Sequence, residues 1–280
     1  MREIPVGRLT DTVAALCEEI NYRLSDDMVG AVCAAAEKET EPLGKEILAM
    51  LKSNLEAAKT DRVPICQDTG MAVVFLQVGQ EVHFTGGPLN EAINEGVRRG
   101  YRDGYLRKSV VAHPLDRVNT GDNTPAVIHT EIVPGDTVTV TLTAKGFGSE
   151  NTGRIWMLKP ADGREGVKEA VLQTVAQSGK NACPPLVIGV GIGGTFEKCA
   201  LMAKHALTRP VGQPSADPLA AQLERELLNE INATGIGPAG LGGSVTALAV
   251  AVECYPPHIA GLPVAVNIGC HVNRHKTVVI

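Results

Sequence analysis

The sequence has little of what marks several common functional classes. Only 3% of its 280 residues are aromatic, the formal net charge is −5, and lysine and arginine are scattered along the chain. The absence of basic clusters and aromatic platforms argues against nucleic-acid binding. The longest apolar run, Val245 to Val252, is far too short to cross a membrane, and the N-terminus has no signal-peptide core. We therefore expect a soluble, cytoplasmic protein without nucleic-acid or membrane partners.

The cysteines do not form a disulfide or zinc pattern. Their number is seven, which is odd, and no Cys-x-x-Cys pair occurs. Cys17 and Cys33 lie on apolar stripes with helical spacing and are predicted to be core thiols. Cys199 and Cys254 fall on a predicted helix and a predicted strand, and we interpret both as structural.

The hydrophobic pattern predicts a mixed α/β (α+β) fold. Helical periodicity fills residues 1–62, and strands alternate with helices from Val63 onward. The segments AVIHTEIV and TVTVTLTA, joined by Pro134-Gly135-Asp136, are typical of a hairpin-like pair. We expect two lobes, each a small mixed sheet with flanking helices. The predicted strands cover 71–78, 186–190, 244–252 and 263–266, and the predicted helices after Val63 cover 90–107, 166–178, 196–207 and a segment ending near 232.

Residues 189–194 read Gly-Val-Gly-Ile-Gly-Gly, which satisfies the dinucleotide-binding pattern G-x-G-x-x-G. A Rossmann fold also needs a following strand that ends in an acidic residue about 20 residues on. The Pro-rich segment RPVGQPSADP occupies that position instead, which disfavours a dinucleotide enzyme. We interpret the glycines as allowing a close approach of backbone to a ligand or cluster.

Three other cysteines lie in loops beside proline, glycine or polar residues. Cys66 lies in PICQDTG, Cys183 in NACPP and Cys270 in NIGCHVNRH. Their separations match no local metal motif, so position alone leaves core thiols, nucleophiles and metal ligands open.

The segments PICQDTG, AKGFGSEN, ACPPLVIGVGIGGT, GIGPAGLGG and PPHIAGLPVAVNIGCHVNRH resemble, in order, the signatures of class I iron–sulfur fumarases and L-tartrate dehydratases. The resemblance implies that residues 1–280 form the N-terminal, alpha-subunit catalytic domain. It also implies a [4Fe–4S] cluster between the two lobes, held by Cys66, Cys183 and Cys270. Three ligands leave one iron open as a Lewis acid for a hydroxy acid.

The same resemblance assigns the substrate residues. Asp68 and His258 are expected to be catalytic, and Gln67 and Arg107 to bind the substrate, Arg107 as a bidentate carboxylate clamp. Taken alone, Asp68 is equally typical of a turn, Arg107 of a solvated helix end and His258 of a packed or surface histidine. Phe147 stands where the family has the middle glycine of KGGGS, so Gly146 and Gly148 are the candidates for amide contacts with the substrate. Arg274 and His275, which follow the third cysteine, are secondary candidates for orienting the cluster or the substrate.

The leading hypothesis is reversible hydration of fumarate to L-malate, a C4 dicarboxylate pair. The alternatives are L-tartrate dehydration by the same mechanism and a non-catalytic iron–sulfur sensor. Because family members with one chain continue into a second domain, whereas this sequence stops soon after Cys270, we expect a separate beta subunit. The alpha chain is then expected to be inactive alone and to work in a hetero-oligomer.

Overall fold

The computed structural model describes residues 1–280, which fold into two compact units. The first unit contains residues 1–25, 55–147 and 274–280, and the second contains 26–54 and 148–273. None of the helices combines the length and the apolar character needed to span a bilayer. The helices are α1 (Val6–Tyr22), α2 (Asp26–Lys38), α3 (Pro42–Asp61), α4 (Leu89–Asp103), α5 (Phe147–Glu150), α6 (Gly163–Ser178), α7 (Phe196–Ala206) and α8 (Pro218–Ala233). The strands are β1 (Arg2–Pro5), β2 (Met71–Gly79), β3 (Val82–Thr85), β4 (Val127–Val133), β5 (Val138–Lys145), β6 (Arg154–Leu158), β7 (Leu186–Gly193), β8 (Ala247–Tyr255), β9 (Leu262–Gly269) and β10 (Arg274–Val279).

The first unit is built on a four-stranded sheet in the order β10-β5-β2-β4. Strand β2 is apolar along most of its length and almost wholly buried, as expected of a strand with neighbours on both edges. It pairs antiparallel with β5 and parallel with β4. Helices α1 and α4 pack together through apolar stripes that include Leu9, Val13, Ile93 and Val97, all completely buried.

The predicted hairpin of β4 and β5 is wrong. The two strands follow each other in sequence, but β2 lies between them and pairs with both. Most residues of β4 are exposed or half-buried, whereas β2 has apolar side chains to bury on both faces. The more apolar strand therefore takes the central position, and β4 takes the edge.

The second unit contains a four-stranded sheet in the order β6-β9-β7-β8, with β7 parallel to β8 and antiparallel to β9. Side chains of β7 alternate between two faces. Ile188 and Val190 join the buried cluster that includes residues of α6 and α8. The opposite face of the sheet carries α7, whose Met202 and Ala203 pack with Ala265 of β9. The mixed α/β class predicted from the sequence is confirmed, with one mixed sheet in each unit.

The glycines of the G-x-G-x-x-G segment serve this helix packing. A methyl group added to Gly189 would lie 2.1 Å from the carbonyl oxygen of Ala203, and one added to Gly191 would lie 2.1 Å from that of Cys199. Both oxygens belong to α7, so the missing side chains allow the helix backbone to lie directly on β7. The interpretation of Gly189 and Gly191 as ligand-approach glycines is therefore corrected. They are packing glycines.

Candidate functional site

The loop that carries Cys66 connects α3 to β2 in the first unit. Cys66 is half-buried, and its thiol donates to Oε1 of the exposed Gln67 at 3.8 Å. Asp68 is half-buried, whereas Thr69 and Gly70 are buried. The residues with predicted chemistry therefore lie on the accessible side of a loop whose far end is anchored in the core.

Four buried polar residues hold this loop, three through their side chains and Asn21 through its backbone carbonyl oxygen. Two of them, Asn21 of α1 and Arg274 of β10, act before and after Cys66: the carbonyl oxygen of Asn21 accepts from the amide of Ile65 at 2.9 Å, and Arg274 Nη1 donates to the carbonyl oxygen of Asp68 at 2.7 Å. The remaining two hold the end of the loop. The Tyr101 hydroxyl donates to the carbonyl oxygen of Thr69 at 2.8 Å, and Asn123 Nδ2 donates to that of Gly70 at 3.2 Å. The loop is therefore fixed by residues from four distant segments.

The carboxylate of Asp68 accepts two backbone hydrogen bonds. Oδ1 accepts from the amide of Gly70 at 3.0 Å, which makes the turn expected from the sequence, and Oδ2 accepts from the amide of Phe147 at 2.9 Å. Each carboxylate oxygen has a second lone pair, so Asp68 can still accept a proton or a hydrogen bond from a ligand. The bond to Phe147 also connects the Cys66 loop to the KGFGS segment.

Part of the KGFGS segment is helical. Residues Phe147–Glu150 form the single helical turn α5 directly after β5. Gly146 lies beside Asp68, because a methyl group added to it would be 3.1 Å from Oδ2. Gly148 is exposed in the second unit, where an added methyl group would lie 3.6 Å from the carbonyl oxygen of Asn181. The amide of Phe147 is occupied by Asp68, so Gly146 and Gly148 stay the predicted amide contacts.

Arg107 lies outside the helix predicted for it. Helix α4 ends at Asp103, and Tyr105 has a φ of 51°, which breaks the helix. The side chain of Arg107 is exposed and makes no ion pair. Its carbonyl oxygen accepts from Thr69 Oγ1 at 3.1 Å, which places Arg107 next to the Cys66 loop. The first unit therefore brings together Cys66, Gln67, Asp68, Arg107 and Gly146.

In the second unit, the loops of Cys183 and Cys270 meet. Cys183 follows a 3-10 turn over Gly179–Ala182, has a φ of 55° and is exposed. Cys270 follows β9 and is half-buried. The amide of His271 donates to the carbonyl oxygen of Cys183 at 3.4 Å, and His271 Nδ1 lies 3.0 Å from the same oxygen. Two of the three predicted cluster ligands are therefore neighbours.

The glycine-rich segment GIGPAGLGG supports the Cys183 loop. The amide of Ala239 donates to the carbonyl oxygen of Pro184 at 3.0 Å. The end of this segment is held by Glu39, which is 2% exposed. Glu39 Oε1 accepts from the amide of Ser244 at 2.9 Å and from its hydroxyl at 3.0 Å, while Oε2 accepts from the amide of Val245 at 3.0 Å. Burial by itself raises the pKa of Glu39, but these bonds and one from the amide of Glu41 outweigh burial, and the pKa is lowered.

His258 lies in the loop between β8 and β9. It is exposed between β8 and β9, at the wall of a largely apolar cavity of about 430 Å³ in the second unit, and no hydrogen bond connects it to Cys183 or Cys270. Its Nδ1 accepts from the amide of Ala260 at 3.2 Å. An accepting Nδ1 carries no proton, so the neutral ring presents its proton on Nε2.

The remaining four cysteines differ in how far they are buried. Cys17 and Cys199 are completely buried, as expected of structural thiols, and burial raises the pKa of both. Cys33 is only half-buried on α2, so its prediction as a core thiol is not confirmed. Cys254 is exposed near the end of β8 and lines the same cavity as His258. Cys254 therefore lies on the predicted strand but at an uncovered end of it, and its interpretation as a structural thiol stays a prediction.

The donor set fits an iron–sulfur cluster chemically. Cys66, Cys183 and Cys270 lie outside regular helices and strands, and all three are at least partly accessible, unlike the core thiols. Thiolates in loops are the usual cluster ligands. The structure holds no group of three or more histidine, cysteine, aspartate or glutamate side chains placed to bind a metal ion. Convergence of all three cysteines therefore stays a prediction.

Sequence reasoning missed several residues that shape the site. Asn21 and Glu39 were not singled out, although each is a polar residue within or directly after an apolar helical stripe, which is the available signal. Arg274 had been ranked below the other candidates, and its burial could not be read from its charged type. Tyr101 and Asn123 carry no sequence signal, because their partners lie more than 30 residues away.

Comparison with known proteins places this geometry in a family. Residues 10–279 match the model of the family described as fumarate hydratase (fumerase). The chain is 40% identical, over 95% of both sequences, to a Methanocaldococcus jannaschii protein with the provisional name L(+)-tartrate dehydratase subunit alpha. It is 34% identical to the L(+)-tartrate dehydratase subunit alpha of Escherichia coli O157:H7, over 98% of this chain and 91% of that protein. The chain therefore belongs to the fumarate hydratase family of hydro-lyases.

Proposed function

We propose that this protein is the alpha subunit of an iron–sulfur hydro-lyase whose substrate is L-tartrate. The relatives that carry the proposal are named as L(+)-tartrate dehydratase alpha subunits and align along nearly their whole length. This favours the alternative considered from the sequence over the leading fumarase hypothesis. Hydration of fumarate to L-malate is the second candidate, supported by the family description.

The proposed cofactor is a [4Fe–4S] cluster held by Cys66, Cys183 and Cys270. Its support is the thiol donor set in accessible loops and the neighbouring positions of the Cys183 and Cys270 loops. When bound through three thiolates, such a cluster supplies an open iron site that acts as a Lewis acid toward a hydroxyl and its adjacent carboxylate.

The residues of this chain supply binding and proton transfer. Arg107 is exposed and makes no ion pair, so its guanidinium is available for a bidentate bond to one substrate carboxylate. The exposed Gln67 amide can donate to a substrate hydroxyl. Asp68 is oriented by its two backbone hydrogen bonds and keeps lone pairs that can accept a proton. In this proposal His258 offers the proton on Nε2, and the backbone beside Gly146 and Gly148 contacts the substrate.

We further propose that a separate beta subunit completes the site. The relatives are named as alpha subunits, which supports a partner chain. A C4 dicarboxylate also carries two negative charges, whereas Arg107 is the only carboxylate clamp among the candidate residues. An unpaired carboxylate in a site that excludes water is costly, so further cations are needed. The proposal therefore predicts a hetero-oligomer in which the alpha chain alone is inactive.

The test is anaerobic reconstitution with iron and sulfide, with and without the partner chain, followed by assays on L-tartrate, L-malate and fumarate. Loss of water from tartrate gives oxaloacetate, which a carbonyl reagent detects, whereas fumarate is followed by its ultraviolet absorbance. A kcat/KM for L-tartrate at least tenfold above that for L-malate supports the proposal. The reverse ratio assigns the protein as a fumarase.

Two further outcomes would contradict other parts of the proposal. Full turnover by the alpha chain alone would refute the need for a beta subunit. A loaded two-chain complex without turnover on any of the three acids would favour the sensor alternative.

A further inference from the structure

We propose that Arg274, together with Asn21, is a positioning residue that presents Cys66, Gln67 and Asp68 to the site. The inference rests on the proposed function, because it concerns how the first cluster ligand and the predicted proton acceptor are held. Arg274 is 2% exposed and Asn21 is completely buried. Neither residue needs to touch the substrate for this role.

The two residues hold the loop on both sides of Cys66 and Gln67. We call this pair and its hydrogen bonds the bracket. Arg274 Nη1 donates both to the carbonyl oxygen of Asp68 at 2.7 Å and to Asn21 Oδ1 at 2.9 Å. The backbone carbonyl oxygen of Asn21 accepts from the amide of Ile65 at 2.9 Å, while its side-chain Nδ2 donates to the carbonyl oxygen of Cys17 at 2.8 Å. The bracket therefore fixes the residue before Cys66 and the residue after Gln67. Of the two intervening residues, Cys66 is half-buried and Gln67 is exposed.

Burying a guanidinium to hold a loop costs desolvation free energy. Arg274 has no carboxylate partner within ion-pair distance, and its Nε is buried without a hydrogen-bond partner. A buried guanidinium that makes no direct ion pair is disfavoured relative to an apolar side chain of similar size. Features of this kind concentrate at functional sites, where positioning offsets their cost.

The second terminal nitrogen of Arg274, Nη2, lies near the carboxylate of Asp68. A methyl group added to Gly146 would lie 3.5 Å from Arg274 Nη2 and 3.1 Å from Asp68 Oδ2. The guanidinium and the carboxylate of Asp68 therefore flank the same glycine. Arg274 holds the backbone of Asp68 from one side, while the amide of Phe147 holds its side chain from the other.

The test uses the cluster-free chain and three variants: Arg274→Lys, Arg274→Met and the control Lys276→Met. Lys276 lies two residues further along β10 and, like Arg274, connects this strand to α1, through an ion pair with Glu19. The control therefore removes a contact between the same two elements without reaching the loop. Amide hydrogen exchange at Ile65 and Gly70 and the alkylation rate of Cys66 are measured by mass spectrometry.

We expect exchange at Ile65 and Gly70 to rise about fivefold to tenfold in both Arg274 variants. Each variant loses at least one of the two Arg274 hydrogen bonds, which loosens Asp68 directly and also loosens Asn21, whose backbone carbonyl oxygen accepts from the amide of Ile65. Alkylation of Cys66 is expected to change, while that of Cys183 and Cys270 stays at the wild-type rate. Lys276→Met should leave all of these quantities unchanged. If Arg274→Met does not fold, the same measurements on Arg274→Lys decide the question.

Two results would overturn the proposal: wild-type exchange at Ile65 and Gly70 in Arg274→Lys, or a uniform rise that Lys276→Met reproduces.

In the loaded two-chain enzyme, Arg274→Lys should lower kcat several-fold with KM within about twofold, since Arg274 orients the loop and does not bind the substrate. A rise in KM alone would contradict a positioning role. Failure of the wild-type chain to form a cluster would refute the proposed function but not the bracket, which the exchange experiment tests by itself.

Discussion

Replacing Glu39 by glutamine tests whether a buried carboxylate stabilises the second unit. Glu39 lies between α2 and α3 and accepts from the amides of Thr40 and Glu41 as well as from Ser244 and Val245. Glutamine has nearly the same shape but only one accepting oxygen, and its NH₂ group would face a backbone N–H. At least one buried donor therefore loses its acceptor.

The magnitude follows from these contacts. A hydrogen bond to a charged group contributes about 1.5–3 kcal/mol, and leaving a buried donor unpaired costs about 1–3 kcal/mol. We expect Glu39→Gln to lower the free energy of unfolding by about 3 kcal/mol, a large part of the ~5–15 kcal/mol typical of a folded protein. With a urea dependence of about 3 kcal/mol per molar, the midpoint falls by about 1 M.

The single tryptophan provides the assay. Trp156 lies on β6 of the second unit, where its Nε1 donates to Thr174 Oγ1 at 3.1 Å, so its fluorescence reports unfolding of this unit. The matched control is Glu41→Gln, because Glu41 is exposed and its substitution should change stability by less than about 0.5 kcal/mol. Equal urea midpoints for Glu39→Gln and wild type would refute the reasoning.

The pH dependence supplies a second check with a definite sign. Because the pKa of Glu39 is lower in the folded state than its ordinary value of 4.5, its contribution is complete above that value and is lost as pH falls through the folded pKa. The difference in stability between wild type and Glu39→Gln should therefore be full near neutral pH and shrink progressively below about pH 4.5. A difference that grows on acidification would contradict this assignment.

Three further predictions concern packing, cluster binding and substrate binding. Gly191→Ala should destabilise the second unit by about 3 kcal/mol, measured by the same fluorescence assay, because the new methyl group would lie 2.1 Å from the carbonyl oxygen of Cys199. Cys183→Ser should abolish both cluster absorbance and turnover, whereas Cys17→Ser should cost only about 1 kcal/mol of stability; full activity in the first variant would remove Cys183 from the ligand set. Arg107→Lys should raise KM and lower kcat in steady-state assays of the two-chain enzyme, because the point charge of lysine cannot replace the planar, bidentate guanidinium. Unchanged kinetics would show that Arg107 is a solvated surface residue that does not bind the substrate.

The sequence alone determined the local elements with strong hydrophobic patterns. The strands that became β2 and β7 were predicted from continuous apolar runs, and α1, α2 and α3 from helical periodicity in residues 1–62. These patterns are readable because each element buries its own face, whatever its neighbours are. The family was recognisable for a similar reason, since its motifs are short contiguous segments such as PICQDTG.

The tertiary structure alone decided which elements became neighbours. The sequence placed β4 and β5 in a hairpin, but pairing with β2 separated them, and β10 joined β5 from more than 130 residues away. Short strands such as β1, β3, β6 and β10 were not predicted, because they are held by partners distant in sequence more than by their own pattern.

The same distinction holds for the candidate site. Cys66, Gln67 and Asp68 were identified from their motif, whereas Asn21 and Arg274, which hold that motif, lie 253 residues apart in the chain. A hydrogen bond between such residues exists only after both elements have packed, and neither residue type predicts it from the sequence. The sequence therefore determined which groups carry the proposed chemistry, and the fold decided which buried groups hold them in place.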